Sequence, residues 1–290
     1  MPPALVHSLN LDSLPYRDPL GKLNWADVAR DAWWLPPETL SLAGVSAFER
    51  LPLADRQRLS HFEFAHVLET GLWLESLFIA RLARGLDETA DPELKCRYLH
   101  EIREEAGHSL MFLELMSRSG VSIPDAHVHR PRVARRIGQH APADGLLFWT
   151  TVLAGEELPN RMNAMVRAGV EQSIVSAVVY RMVGLHMRDE ARHIAYARAT
   201  VESLAGEASL LRKRLTSAVL SMVLDQFTRY MFFPPPTVYR LALGGSDAEG
   251  IQWAALAAAN AARHALVRQS LQPTLAFLGR LGMRVRTRYA

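Results

Sequence analysis

One cysteine, Cys96, in 290 residues excludes an internal disulfide framework and fits a reducing compartment. A cytoplasmic location is therefore expected. No run of about 18 apolar residues occurs, so no membrane span is expected. Met1 to Asn10 lacks a basic start followed by an apolar run, so no secretory signal is expected either. Lysine is scarce, at 22, 95 and 213 only; the sequence pI of about 9.2 comes from arginine, while the net charge is just +3. The densest basic cluster, Arg130-Pro-Arg-Val-Ala-Arg-Arg136, has no interleaved aromatics, and no nucleic-acid motif accompanies it. It reads as a solvated face or a small-anion site, and no nucleic-acid partner is expected. Strand-like alternation and low-complexity tracts are missing too.

What is present is helical. From about residue 47 onward apolar residues recur at helical spacing. The pattern predicts a helix over about 55–84, stopped by Gly85. A second runs over about 92–119, opened by Asp91-Pro92 as N-cap and first helical residue, and ended by Gly120 and Pro124. A third covers about 143–168, with a distortion at Pro159, and a fourth about 171–204. The His- and Arg-rich stretch 125–142 reads as a long connection between the two hairpins. A further helix over about 207–233 ends at Pro234-Pro235-Pro236, and an Ala-rich helical pattern covers 247–280. Residues 1–46 are rich in Pro, Trp and Leu and lack a steady period. They are expected to wrap the core as loops and short helices anchored by Trp25, Trp33 and Trp34. Two hairpins joined by a crossover give the order of a ferritin-like four-helix bundle. The expected fold is all-α: one domain over 1–290, a core bundle over about 55–205, and additional N- and C-terminal helices.

The chemistry is concentrated in His186-Met-Arg-Asp-Glu190-Ala-Arg-His193. A histidine, a glutamate and a histidine at i, i+4 and i+7 share one helical face. Its flanks look buried, and a buried carboxylate needs a partner. Glu105-Ala-Gly-His108 repeats the Glu-x-x-His pattern on the other hairpin. Eighteen glutamates and eleven histidines would give fewer than one such pair by chance, yet three occur. The third, Glu63/His66, has no matching pair at its own height and reads as a polar pair near the start of the first helix.

A di-metal site in a bundle core takes a lone carboxylate from each of two helices and Glu-x-x-His from each of the other two. Glu75 and Glu69 are both placed to partner Glu105; Glu75, with apolar helical neighbours on all sides, is favoured. Glu156 and Glu157 are both placed to partner Glu190, and Glu156 is favoured because it continues the stripe of Trp149, Leu153 and Asn160. His186, one turn before Glu190, is expected to reach the metal that His193 binds. Carboxylate-rich sites with two or three imidazoles suit iron or manganese better than zinc. A ligand histidine usually donates its outer N–H to a carboxylate. Glu104 and Asp189, each preceding a metal glutamate, are expected to do this across the bundle, each for the other hairpin's histidine.

Glu-Glu-Ala-Gly-His-Ser (104–109) together with His186-x-x-x-Glu190-Ala-Arg-His193 resembles the paired motifs of the non-haem di-iron oxygenases related to p-aminobenzoate N-oxygenase. The resemblance covers about 55–205. Gly155-Glu156 is also similar to the bacterial multicomponent monooxygenases, but His186 is not. The resemblance implies two iron ions, with Glu105 and Glu190 bridging them, His108 on one, His186 and His193 on the other, and Glu75 and Glu156 as terminal carboxylates. It further implies O2 as co-substrate, an external electron donor, a homodimer, and no catalytic group beyond the metal centre. The activity it implies is oxidation of a small primary amine to hydroxylamine and nitro products in specialised metabolism. Two other readings remain: C–H hydroxylation or desaturation of a small or carrier-bound acyl or aminoacyl group, and a ferritin-like ferroxidase without an organic substrate.

Overall fold

A computed structural model describes residues 3–16, 18–28, 31–168 and 174–289. The fold is all-α. Four long helices form a bundle of ferritin-like order: α3 (Leu53–Glu88), α4 (Pro92–Ser119), α6 (Leu146–Ala168) and α7 (Ala177–Glu207). The closest packing is α3 on α4 and α6 on α7, so the two sequence hairpins are also the two spatial ones. Around them lie α1 (Pro3–Ser13), the short α2 (Ser46–Glu49), α5 (Arg132–His140), α8 (Leu210–Phe232), α9 (Pro236–Leu243), α10 (Asp247–Ala259) and α11 (Ala261–Arg280). Among the described residues the only β feature is an isolated parallel bridge between Trp33 and Val175. No helix among the described residues is long and apolar enough to cross a membrane.

Local chemistry sets the boundaries that matter for the bundle. Asp91 caps α4 by accepting from the backbone N–H of Glu93 and Leu94, and Gly120 ends it in the left-handed conformation at φ 71°, as Asx N-caps and glycine C-caps do. Pro159 lies inside α6. The expected start of the fourth helix at about 171 lies outside the described residues. One expectation needs correction. Residues 125–142 are not a plain connection: Pro131 leads into α5, whose buried Ala134 and Ile137 face the bundle while its arginines face outward. The helical pattern expected over 247–280 is present as two helices, because Asn260 takes an extended conformation and caps α11 through Ala262 N.

The N-terminal segment wraps the core. Trp33 and Trp34 are buried, and Trp25 is partly buried against the core. Ser13 at the end of α1 accepts from both Arg97 on α4 and Arg192 on α7. The C-terminal helices attach through the polar pair of Glu63 and His66, and Glu63 is buried. It accepts from Ser41 N at 3.2 and 3.0 Å and from the Ser41 hydroxyl, which also contacts Tyr239 on α9. His66 bonds the carbonyl of Tyr230 on α8 at 2.7 Å. Arg130 and Arg132 line an open groove with Arg229, of about 600 Å³.

Candidate metal centre

Seven side chains converge inside the bundle. Glu75, His108 and His186 form one group, and Glu105, Glu156, Glu190 and His193 another; within each group the ligand-capable atoms lie within 4.8 Å of one another. Helical spacing explains the convergence. Glu105 and His108 share one face of α4, and His186, Glu190 and His193 share one face of α7. α3 contributes Glu75 and α6 contributes Glu156. The two alternatives left by spacing lie elsewhere. Glu69 is half-buried, toward Arg130 and His127. Glu157 accepts from Arg198 and from Thr274 on α11.

Glu105 connects the two groups. One of its oxygens lies 2.8 Å from His193 Nδ1, and the other 3.5 Å from His108 Nδ1. Glu190 Oε1 lies 3.2 Å from His186 Nε2, 3.5 Å from His108 Nδ1 and 3.6 Å from His193 Nδ1. These are close approaches without hydrogen-bond alignment. Glu105 Oε1, both oxygens of Glu190, His108 Nδ1 and His193 Nδ1 are buried and have no hydrogen-bond partner. Buried polar atoms are rarely left this way. Five of them gathered in one buried cluster fit cations better than they fit one another. The charge count agrees: four carboxylates in a dry core carry −4 when ionised, which two divalent ions neutralise. The residues present therefore fit a di-metal group.

Without cations, protons take their place. Burial, reinforced by Glu105, pushes the Glu75 carboxyl well above the usual carboxylate range. Burial with the charges of Glu190 and Glu105 does the same to Glu156. Burial opposes charge on Glu190 too, but His193 and His186 hold it well below the usual range. On His108 burial favours the neutral ring, yet its bond to Asp189 and the nearby negative charges of Glu105 and Glu190 raise it to about 10. His193 is raised as well, against burial, by Glu105 and Glu190.

Outside the cluster each imidazole has an outer partner. His193 Nε2 meets Glu104 Oε2 at 3.0 Å, and His108 Nε2 meets Asp189 Oδ2 at 3.4 Å. Each carboxylate belongs to the opposite hairpin from the histidine it holds. Arg192 bonds both carboxylates at 2.8 Å, and with His108 it keeps Asp189 at about 2 despite burial. His186 differs: its Nδ1 faces the amide of Asn163 at 2.8 Å.

The family model for p-aminobenzoate N-oxygenase AurF matches residues 10–282. The chain belongs to this family. The p-aminobenzoate N-oxygenase family comprises di-iron oxygenases, and its match extends over the N-terminal wrap and the C-terminal helices as well as the bundle. Uncharacterized proteins of Mycobacterium bovis and Mycobacterium tuberculosis are 26% identical over 231 residues, covering 76% of this chain and 61% of theirs. The chain thus spans about three fifths of the length of these curated relatives.

In this family member one expected pairing differs. His186 groups with His108 and Glu75, not with His193. Seven residues separate the two α7 histidines, about 10.5 Å of rise, and Glu190 lies between them. The antiparallel α4 places His108 beside His186, with ring centroids 4.4 Å apart. Arg192 and Asn163 were not anticipated. Arg192 follows Asp189 by one turn in the same motif, and Asn163 lies two turns beyond Glu156, so helical spacing held the signal for both.

Proposed function

We propose that this chain is a di-iron oxygenase that uses O2 to oxidise the nitrogen of a small primary amine to a hydroxylamine and onward to a nitro product. The observation that carries this reading is the set of five orphaned, buried ligand atoms shared between two groups, in a chain of the p-aminobenzoate N-oxygenase family. Glu75, His108 and His186 would hold one iron, and Glu156 and His193 the other. Glu105 and Glu190 would serve both.

When bound, a pair of irons supplies two-electron activation of O2 beside an organic substrate. The protein's part is arrangement. Asp189 and Glu104 accept the outer N–H of His108 and His193, which keeps the inner Nδ1 lone pairs aimed at the centre. Arg192 holds both acceptors in place. Phe64, Leu68, Phe112 and Met182 line a small cavity of about 20 Å³ beside His186. That apolar wall excludes water from the His186 side of the centre. The homodimer, the external electron donor, iron rather than manganese, and a place in specialised metabolism belong to the same proposal and rest on the family.

The test is iron-loaded protein supplied with O2 and a reductant against a panel of aryl and alkyl amines and carrier-bound acyl groups. Nitrogen-oxidised product is expected. Hydroxylated carbon beside untouched nitrogen would overturn the amine assignment. Rapid Fe(II) oxidation coupled to no organic product would return the chain to a ferroxidase.

A further inference from the structure

A second cavity borders the centre at Glu156. α3, α5 and α6 enclose an apolar cleft of about 60 Å³, with Leu74, Leu77, Phe78, Phe148 and Val152 on its walls and Glu156 at one end. Its remaining polar side chain, Thr151, is already committed, donating to Leu147 O at 2.8 Å. Glu156 is the only one of the seven clustered residues with partial exposure.

We propose that this cleft is the route by which dioxygen reaches the centre, and that Gly155 keeps it open. The inference rests on the di-iron reading above. Size and chemistry select the occupant. Apolar cavities stay dry, and ring-sized guests such as benzene need about 150 Å³. The cleft is smaller than that but large enough for an apolar diatomic, and apart from Glu156, which would be held on the metal, and the already bonded Thr151 its lining is apolar. At Gly155 an added Cβ would meet only Leu74 Cδ2, at 3.8 Å. Alanine therefore fits, while a leucine side chain projects into the open space. The roof is also built from small residues, Ala134 and Gly138 of α5, so the cleft exists because α5 crosses here with little side-chain bulk.

Xenon, an apolar atom that enters such cavities, is the probe. Crystals of the iron-loaded wild type under xenon pressure are expected to show xenon in the cleft, and Gly155→Leu crystals to show none. Oxidation of the bound Fe(II) by O2, followed by stopped flow, is expected to slow by about an order of magnitude in Gly155→Leu, with Gly155→Ala close to wild type. Should Gly155→Leu fail to fold, Val152→Phe fills the same space from the preceding turn. Unchanged oxidation with the cleft filled, no xenon in the wild type, or displacement of xenon by an amine would overturn the proposal. Iron content separates the two readings: a wild type without two irons per chain defeats the di-iron assignment, whereas full iron with cleft-independent oxidation defeats only the route.

Discussion

At the scale of single residues, Asp189 and Glu104 do parallel work for different histidines, so their loss should be distinguishable. Outer partners of metal histidines are worth about 10–100-fold in metal affinity. Asp189→Ala is expected to weaken by that factor the ion that Glu75, His108 and His186 would hold, and Glu104→Ala the ion that Glu156 and His193 would hold, read as two separate steps in an iron titration. Equal weakening of both ions by either variant would refute the pairing. His186→Ala should reduce iron from two to about one per chain with the fold intact, because Glu105, Glu156, Glu190 and His193 still converge. Glu105→Ala and Glu190→Ala should each lose both. Which residue types would cluster was legible from spacing, since a helical face is fixed by 3.6 residues per turn. Which of Glu69 and Glu75 faces Glu105 was not, because that depends on how α3 meets α4 in height. Sequence spacing likewise says nothing about which histidine of α4 lies beside which of α7.

Elements carry the next level. The four bundle helices were readable because each is long and periodic, and in α4 Asp91, Pro92 and Gly120 mark both ends. α5 was not, since nine residues with four charged or histidine side chains look like a polar connection until a bundle supplies the surface that Ala134 and Ile137 cover. The break at Asn260 was hidden by alanines on both sides of it. Close packing between elements also leaves a testable mark at Gly71 in α3. A Cβ there would lie 2.8 Å from a ring carbon of Phe112. Phe112 is itself buried and packs edge-on against His186 at 5.2 Å, so the ring cannot withdraw freely. Gly71→Ala gains about 1 kcal/mol of helix propensity but overpacks the α3–α4 contact at a cost of about 1–3 kcal/mol. A net loss of about 1 kcal/mol in urea unfolding is expected, with weaker iron binding on the His186 side. A more stable variant with normal iron would show that Phe112 has room to move.

The molecule as a whole is held by two buried polar centres of different kinds. The structural one joins Ser41, Glu63 and Tyr239, with Arg263 close enough to act on Glu63 by its charge and itself donating to Phe232 O and Thr39 O. Glu63→Ala leaves the buried Arg263 without its facing carboxylate, and a loss of about 3 kcal/mol is expected with iron content unchanged. The metal centre should behave differently, through ligand linkage and pH. Each iron at a hundred times its dissociation constant stabilises the fold by about 2.7 kcal/mol, so two add about 5 kcal/mol, or about 10 °C for a chain of this size. In chelated protein, Glu75 and Glu156 bind protons more tightly folded than unfolded. Stability therefore falls as pH rises above the ordinary carboxylate value through their raised ones. His108, raised to about 10, and His193 act in the same direction: their contribution is complete below the usual imidazole value near 6.5 and is lost toward 10. Glu105, Glu190 and Asp189 are held low, so they contribute fully throughout this range. Chelated protein should thus lose thermal stability between pH 6 and 8.5. Iron-loaded protein, with cations in place of those protons, should lose less. Melting curves at both pH values decide it, because a gap between loaded and chelated forms that narrows with pH would mean that the seven residues do not exchange protons for metal.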